Sequence, residues 1–457
     1  MIDSPSRPET SAAEAAATAI VVRLQQAGHA AYFAGGCVRD RLLGRVPHDY
    51  DVATDAVPDR VQELFPRTTG LVGKSFGVVG VIGEGNQTVE TVEVATFRQD
   101  IDYQDGRRPA QVRFVTAEQD AQRRDFTVNG LFFDPVAGKV IDYVGGQADL
   151  KKEVLRAIGD PAARFAEDKL RLLRAVRFAV TLGFEIEGGT WKALCGAAPE
   201  IVAGQTKVSP ERIRDELDKI WVSPDPARGL DLLDASGLLR PILPELADLH
   251  GVEQPPQFHP EGDVYKHTRL MLSHLKEAPL VLALSVLFHD IGKPATFKVD
   301  ATGRIRFNTH ETVGARMTEV LMERLRYSND TIKQVVACVE NHMTFKDVPH
   351  MRLSTLKRLM GRPTFSQELE LHRIDCSSSH GQLDIYEMLQ EKVATLPPEE
   401  INPPALLSGR DLMAAFDLRE GRRLGEMIKY IREGQLEGKI KTREEALAFA
   451  RRLLENL

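Results

Sequence analysis

Cysteine is scarce in this 457-residue chain: four in all, Cys37, Cys195, Cys338 and Cys376, with no CxxC pair among them. That excludes a disulfide framework and a zinc ribbon, and makes a reducing cytoplasm the expected compartment. Long apolar runs are missing too. The longest, Pro279 to Phe288, is ten residues, against roughly 20 for a bilayer-spanning helix, so no membrane partner is expected. Positive charge is in deficit, with a net charge of -7, which argues against a broad basic surface that binds nucleic acid through phosphates alone. Residues 1–20 carry Asp3, Glu9 and Glu14 among Ser, Pro and Ala. Having neither the basic start nor the apolar core of a secretory signal, they read as a disordered lead-in.

What remains is a long chain of ordinary composition, 42% hydrophobic and 27% charged, which calls for several domains rather than one core. Its charge is uneven: residues 21–150 carry -4 and residues 151–222 carry +2. An acidic segment still accepts nucleotides if its carboxylates hold divalent cations. The pattern over 21–150 is mixed. Ala16 to Ala27 has helical spacing, Ala31 to Phe33 reads as a strand, and Val38 to Leu43 as a helix opened by two glycines. Short β-branched stretches follow at Val78 to Ile82, Thr91 to Phe97, Val112 to Val115 and Val140 to Val144. From Asp160 onward the spacing is helical, with breaks at Gly188 to Gly189, Ser223 to Pro226, Gln254 to Pro260 and Leu396 to Pro404.

The first chemical constellation is Gly35-Gly36-Cys37-Val38-Arg39-Asp40, then His48-Asp49-Tyr50-Asp51. Two glycines ahead of a helix let the backbone approach a phosphate, whose charge the free N–H groups of the helix start favour. In Asp49-Tyr50-Asp51 the carboxylates are two apart, so on a strand both leave one face and can share hard cations such as magnesium. Two such ions about 4 Å apart would activate a hydroxyl and neutralise a leaving pyrophosphate. A third carboxylate is expected in Glu93, which alternates with Val92 and Val94 on a strand suited to lie beside the first. An isolated DxD pair is usually a surface turn; the grouping of GG, RD and DxD within 17 residues is what argues for a site.

The stretch from Gly35 to Gly44 and on through His48 to Thr54 resembles the signature of the class II tRNA nucleotidyltransferase and bacterial poly(A) polymerase family. Further blocks follow in the same order: Thr96-Phe97-Arg98, Arg123 to Asn129, Glu167-Asp168 through Arg171, Arg174, Arg177 and Phe178, and Ser209 to Leu217. The resemblance covers residues 31 to about 222. It implies an α+β architecture: a nucleotidyltransferase head with a small mixed sheet over 21–150, an all-α neck over 151–250, then a helical body and tail. It also implies attack of an RNA 3′-hydroxyl on the α-phosphate of CTP or ATP, with Asp49 and Asp51 holding magnesium and Glu93 as the third catalytic carboxylate. In the fourth block Leu172, Leu173, Val176, Ala179 and Val180 form an apolar stripe. Asp168 and Arg171 lie off it and offer an acceptor and a forked donor for a base edge; otherwise the pair is an intrahelical salt bridge. In the resembling family that pair selects CTP or ATP. Gly35, Gly36, Arg39, Arg124, Asp125, Asn129, Arg174 and Arg177 would by the same resemblance help hold the nucleotide.

The second constellation gathers ten of the twelve histidines between residues 250 and 380. His267, His289-Asp290, His310, His342 and Asp375 are far enough apart for each to come from a different helix. The set resembles the HD phosphohydrolase superfamily, whose core would here be His267, His289, Asp290 and Asp375, with His310 and His342 extending it to two divalent metals of unspecified identity. The resemblance places this HD body at 251–395 and leaves 396–457 as a helical segment without a motif. The implied function is addition of the 3′-terminal CCA to tRNA, with tRNA gripped at its 3′ end and acceptor arm, and a metal-dependent phosphohydrolase alongside. The alternatives are a poly(A) polymerase, a CC-only or A-only adding enzyme, and an HD phosphohydrolase with a degenerate front domain. The oligomeric state is left open.

Overall fold

The computed structural model describes residues 11–69, 77–82, 91–103, 109–203, 208–257 and 259–455, the side chains of 99–103 and 109–112 apart. The chain divides into two compact units, Met1–Pro244 and Glu245–Leu457. No helix among the described residues is long and apolar enough to cross a membrane.

The first unit opens with helix α1, Ala12–Gln26, so the expected disordered lead-in is helical from residue 12; residues 1–10 lie outside the described residues. The reason is local: the Ser11 side chain accepts from the Glu14 amide and caps a run of alanines. A six-stranded sheet follows, in the order β3-β4-β2-β1-β7-β8. Its strands are β1 (Ala31–Ala34), β2 (Asp51–Thr54), β3 (Val78–Ile82), β4 (Thr91–Thr96), β7 (Leu131–Asp134) and β8 (Lys139–Asp142). β2 and β4 run parallel and the other pairs antiparallel, so the sheet is mixed, as expected. The stretch at Val112 to Val115 does not join it. It belongs to a separate hairpin of β5 (Arg98–Tyr103) and β6 (Pro109–Phe114). β-branched content marks a strand but says nothing about its partner.

Between β1 and β2 lies α2 (Gly36–Leu42), and between β2 and β3 lies α3 (Pro58–Leu64). α4 (Ala117–Gln122) and α5 (Gly146–Lys151) flank β7 and β8, and from α6 (Pro161–Glu167) onward the unit is helical apart from two-residue strands. α7 (Leu170–Leu182) buries the stripe read from its periodicity: Leu172, Leu173, Val176 and Ala179 are fully enclosed. Gly188, read as a break, is an element edge: it opens α8 (Gly188–Ala197), where the Glu187 carboxylate accepts from the Thr190 amide and caps it. α9 (Pro210–Trp221) packs on α7, and α10 (Pro226–Ala235) packs on both.

The second unit is helical apart from a small hairpin, Lys298–Val299 with Ile305–Arg306, among the described residues. At its centre the helix Leu280–Phe288, apolar but for Ser285, packs against Val264–Ser273, Asn329–Asn341 and Phe365–Ser378. Residues 407–450 form a hydrophobic cluster of their own around Leu412, Met427 and Ala446.

Candidate active sites

In the first unit the sheet sets the carboxylates. The parallel register Val52↔Val94 puts Glu93, one residue earlier on β4, alongside Asp51 at the start of β2. Asp49 lies in the loop before the strand rather than on it, yet the pattern exposed-buried-exposed still holds over 49–51. Tyr50 is the buried member: its ring meets Phe33 edge-on at 5.2 Å and its hydroxyl donates to Glu14 Oε2 at 3.2 Å. That anchor turns both carboxylates outward. Partial burial, then the charges of Asp49 and Glu93, push the Asp51 carboxyl up to about 6 against the opposing pull of Arg124. Because the residue stays solvent-accessible, the repulsion is the part a cation would relieve. Among the described residues, the ligand groups gathered within 4.8 Å all lie in the second unit.

Facing them is a cluster of guanidinium groups. Gly35 has φ +72°, and a Cβ there would come within 3.1 Å of Arg124 Nη1. Arg39 donates to Asn129 Oδ1 at 2.7 Å, and Arg124 donates to both Asp120 and the Asn129 carbonyl. Asp125 is enclosed behind Arg174, accepting from its Nε at 2.8 Å and its Nη2 at 2.5 Å. Although burial opposes it, Arg174 holds the Asp125 carboxyl down at about 2. Arg177 lies 3.0 Å from Glu216 of α9, and burial lowers its guanidinium to about 10.

Asp168 and Arg171 do not form the intrahelical bridge. Asp168 sits at the junction of α6 and α7, where one oxygen accepts from the Leu170 amide and the other from Arg212 at 2.7 Å. Arg171 donates to Glu167 and to the Arg164 carbonyl. Each is thus fixed by a neighbour outside the pair. The sequence reading assigned no role to Phe178, whose ring lies under three guanidinium groups: Arg39 at 5.3 Å, Arg174 at 5.2 Å and Arg177 at 4.1 Å. Nor did it assign one to Asp120, Arg212 or Glu216. The i, i+4 spacing of Arg212 and Glu216 on one helix face was the available signal.

In the second unit all six residues singled out from the sequence converge. His267, His289 and Asp375 form one group with ligand atoms within 4.8 Å, and Asp290, His310 and His342 form another. The two are joined where His289 Nε2 lies 3.0 Å from Asp290 Oδ2. His289, His310 and His342 each place Nδ1 against a backbone carbonyl, of Val286, Phe307 and Val339, at 2.7–2.9 Å. A carbonyl only accepts, so Nδ1 carries a proton, and in the neutral imidazole this tautomer leaves Nε2 as the lone pair that could ligate. His310 Nε2 and His342 Nε2 stand 3.1 Å apart, a distance at which two lone pairs suit a shared cation. Burial, with the crowding of His289, pushes His342 down to about 3, so its imidazole is neutral. Gly292 makes the junction possible: a Cβ there would fall 2.2 Å from the His310 carbonyl oxygen. Lys293 forms an ion pair with Asp290 at 2.6 Å and donates to Gln254 Oε1 at 2.6 Å. Lys293, Gln254, Glu261 and His259 were not singled out from the sequence.

Three family descriptions match the chain in order: "Poly A polymerase head domain" over residues 31–156, "Probable RNA and SrmB- binding site of polymerase A" over 183–249, and tRNA nucleotidyltransferase domain 2 over 310–450. An A-adding tRNA nucleotidyltransferase of Deinococcus radiodurans is 36% identical over 74% of this chain and 80% of its own length. A CCA-adding enzyme of Lactococcus lactis is 32% identical over 94% and 95%. Among solved structures, a Bacillus stearothermophilus CCA-adding enzyme in complex with CTP matches with TM-score 0.69 and 25% identity, covering 97% of this chain and 98% of that one.

Proposed function

Because the chain belongs to the class II tRNA nucleotidyltransferases, the family of the CCA-adding enzymes, we propose that its first unit adds CCA to the 3′ end of tRNA, in the cytoplasm, from CTP and ATP. The observation that carries this is the set of Asp49 just before β2, Asp51 at its start and Glu93 beside them on β4, the Asp51 carboxyl being raised by partial burial and then by its two neighbours. An all-oxygen donor set of this kind suits magnesium, which when bound supplies positive charge to the attacking hydroxyl and the leaving pyrophosphate. The remaining work belongs to the chain. The Gly35-Gly36 backbone admits the triphosphate, and Arg39, Arg124, Arg174 and Arg177 neutralise it, with Asp125 and Asn129 fixing Arg174 and Arg39. Asp168 and Arg171 read the base edge, each held in place by Arg212 or Glu167. The acceptor arm is gripped through shape and backbone.

The test is to incubate the protein with tRNA lacking CCA, magnesium and each triphosphate singly and together, sizing products to one nucleotide. Three added residues, lost in Asp49→Ala, are expected. A single adenosine added only to tRNA ending in CC would make the chain an A-adding enzyme, the activity named for its Deinococcus relative. An ATP ladder would make it a poly(A) polymerase.

For the second unit we propose a two-metal HD phosphohydrolase. Its ligands would be His267, His289, Asp290, His310, His342 and Asp375, and its substrate a phosphoester at an RNA end. The mixed nitrogen and carboxylate donors fit a divalent transition metal better than magnesium.

A further inference from the structure

A third arrangement shares one of the six HD residues and reaches beyond them. His259, Glu261 and His267 also bring their ligand atoms within 4.8 Å of one another. A single oxygen, Glu261 Oε1, faces His267 Nδ1 at 2.6 Å and His259 Nδ1 at 2.9 Å. The Glu261 side chain is only 9% exposed and His267 is fully enclosed. The other carboxylate oxygen, Oε2, is buried with no hydrogen-bond partner among the described residues. The two imidazole rings meet edge to face at 4.9 Å.

This sets His267 apart from the other three histidines. They give Nδ1 to neutral backbone carbonyls, with the Glu311 carboxylate standing further off at 3.4 Å from His310 Nδ1, whereas His267 gives it directly to a carboxylate at 2.6 Å. A carboxylate behind an imidazole fixes the tautomer, aims Nε2 and makes that nitrogen a stronger donor. The aim is visible: His267 Nε2 lies 3.1 Å from Asp375 Oδ1, inside the His267, His289 and Asp375 group. A buried carboxylate with one oxygen unpartnered is costly to retain unless its charge does something.

Resting on the metal-site reading above, we propose that Glu261 is a positioning residue, which through His267 sets how tightly the His267, His289 and Asp375 group holds its metal. His259 shares the same oxygen from the outer side and serves to brace Glu261, not to ligate.

The test is titration of the whole protein, stripped of metal, with Mn2+ alone, with thermal unfolding as the check on folding. Loss of a partner behind a metal ligand typically weakens affinity about 10–100-fold, and Glu261→Gln, which keeps shape and removes charge, is expected to fall in that range. Glu261→Asp keeps the charge and is expected to lose less than Glu261→Gln. His259→Phe is expected to stay within about threefold of the wild type, on the same scale of effects. Wild-type affinity in Glu261→Gln, or the reverse order of the Gln and Asp variants, overturns the proposal while leaving the metal site standing. A loss in His259→Phe as large as in Glu261→Gln overturns it in favour of a direct ligand role for His259. A wild type with no Mn2+ binding that His289→Ala removes overturns both.

Discussion

At the scale of single residues, Phe178 changes what the nucleotide site consists of. Arginines 39, 174 and 177 are drawn to one ring, and a cation over an aromatic face is worth about 0.5–2 kcal/mol depending on desolvation. Phe178→Leu keeps the apolar volume and removes the platform. The Michaelis constant for CTP and ATP is expected to rise about tenfold, equivalent to about 1.4 kcal/mol, with a smaller effect on kcat; steady-state kinetics on tRNA lacking its terminal nucleotides measures it. The candidate ligands were legible in advance because their chemistry is unusual in sequence: carboxylates two apart, a His-Asp pair, an ordered series of histidines. Phe178 and Glu261 were not. A phenylalanine in an amphipathic helix becomes distinctive only when Arg39 arrives from α2 to join its helix neighbours Arg174 and Arg177, and a glutamate in a loop only when the turn folds His259 and His267, two and six residues away, onto one of its oxygens.

Elements carry the next set of consequences. The Asp125 and Arg174 pair ties α7 to the turn after α4. Asp125 is held at about 2 in the folded protein, against an ordinary value of about 3.9. A depressed carboxylate contributes stability that is fully present above the unfolded value and is lost as pH falls through the folded one. This contribution, of order 2 kcal/mol, should therefore be intact at pH 7 and vanish between about pH 4 and pH 2. Asp125→Asn is expected to lower the melting temperature at pH 7 and to flatten its fall across that acid window, as thermal scans at several pH values would show. The apolar stripe of α7 could be read from its spacing, since helical period and burial are the same fact seen twice. Strand partnership could not: Val112 to Val115 looked like its neighbours but pairs in a separate hairpin. Nor could the start of α1, which depends on one serine cap rather than on periodicity.

On the scale of the whole molecule, the two units hold two candidate sites with different donors, carboxylates in one and imidazoles with carboxylates in the other, and the proposed function gives each its own chemistry. The activities should therefore separate. His289→Ala is expected to abolish metal-dependent phosphohydrolysis while CCA addition stays within about twofold, since no HD residue belongs to the machinery of the first unit. Parallel assays of both reactions on one preparation check this. The order of the motifs along the chain keeps the two candidate sites apart in sequence, each in its own stretch. Gly292 has the least conspicuous part in either centre, yet a Cβ on it would fall 2.2 Å from the His310 carbonyl. Gly292→Ala is expected to push His310 and His342 away from Asp290 and to halve the metal content measured by elemental analysis. In a genetic screen such a change would score as the loss of a ligand at a position that ligates nothing. An allele there would be suppressed not by restoring a donor but by a smaller residue on the opposing helix, and with Gly314 already facing it, no smaller residue exists.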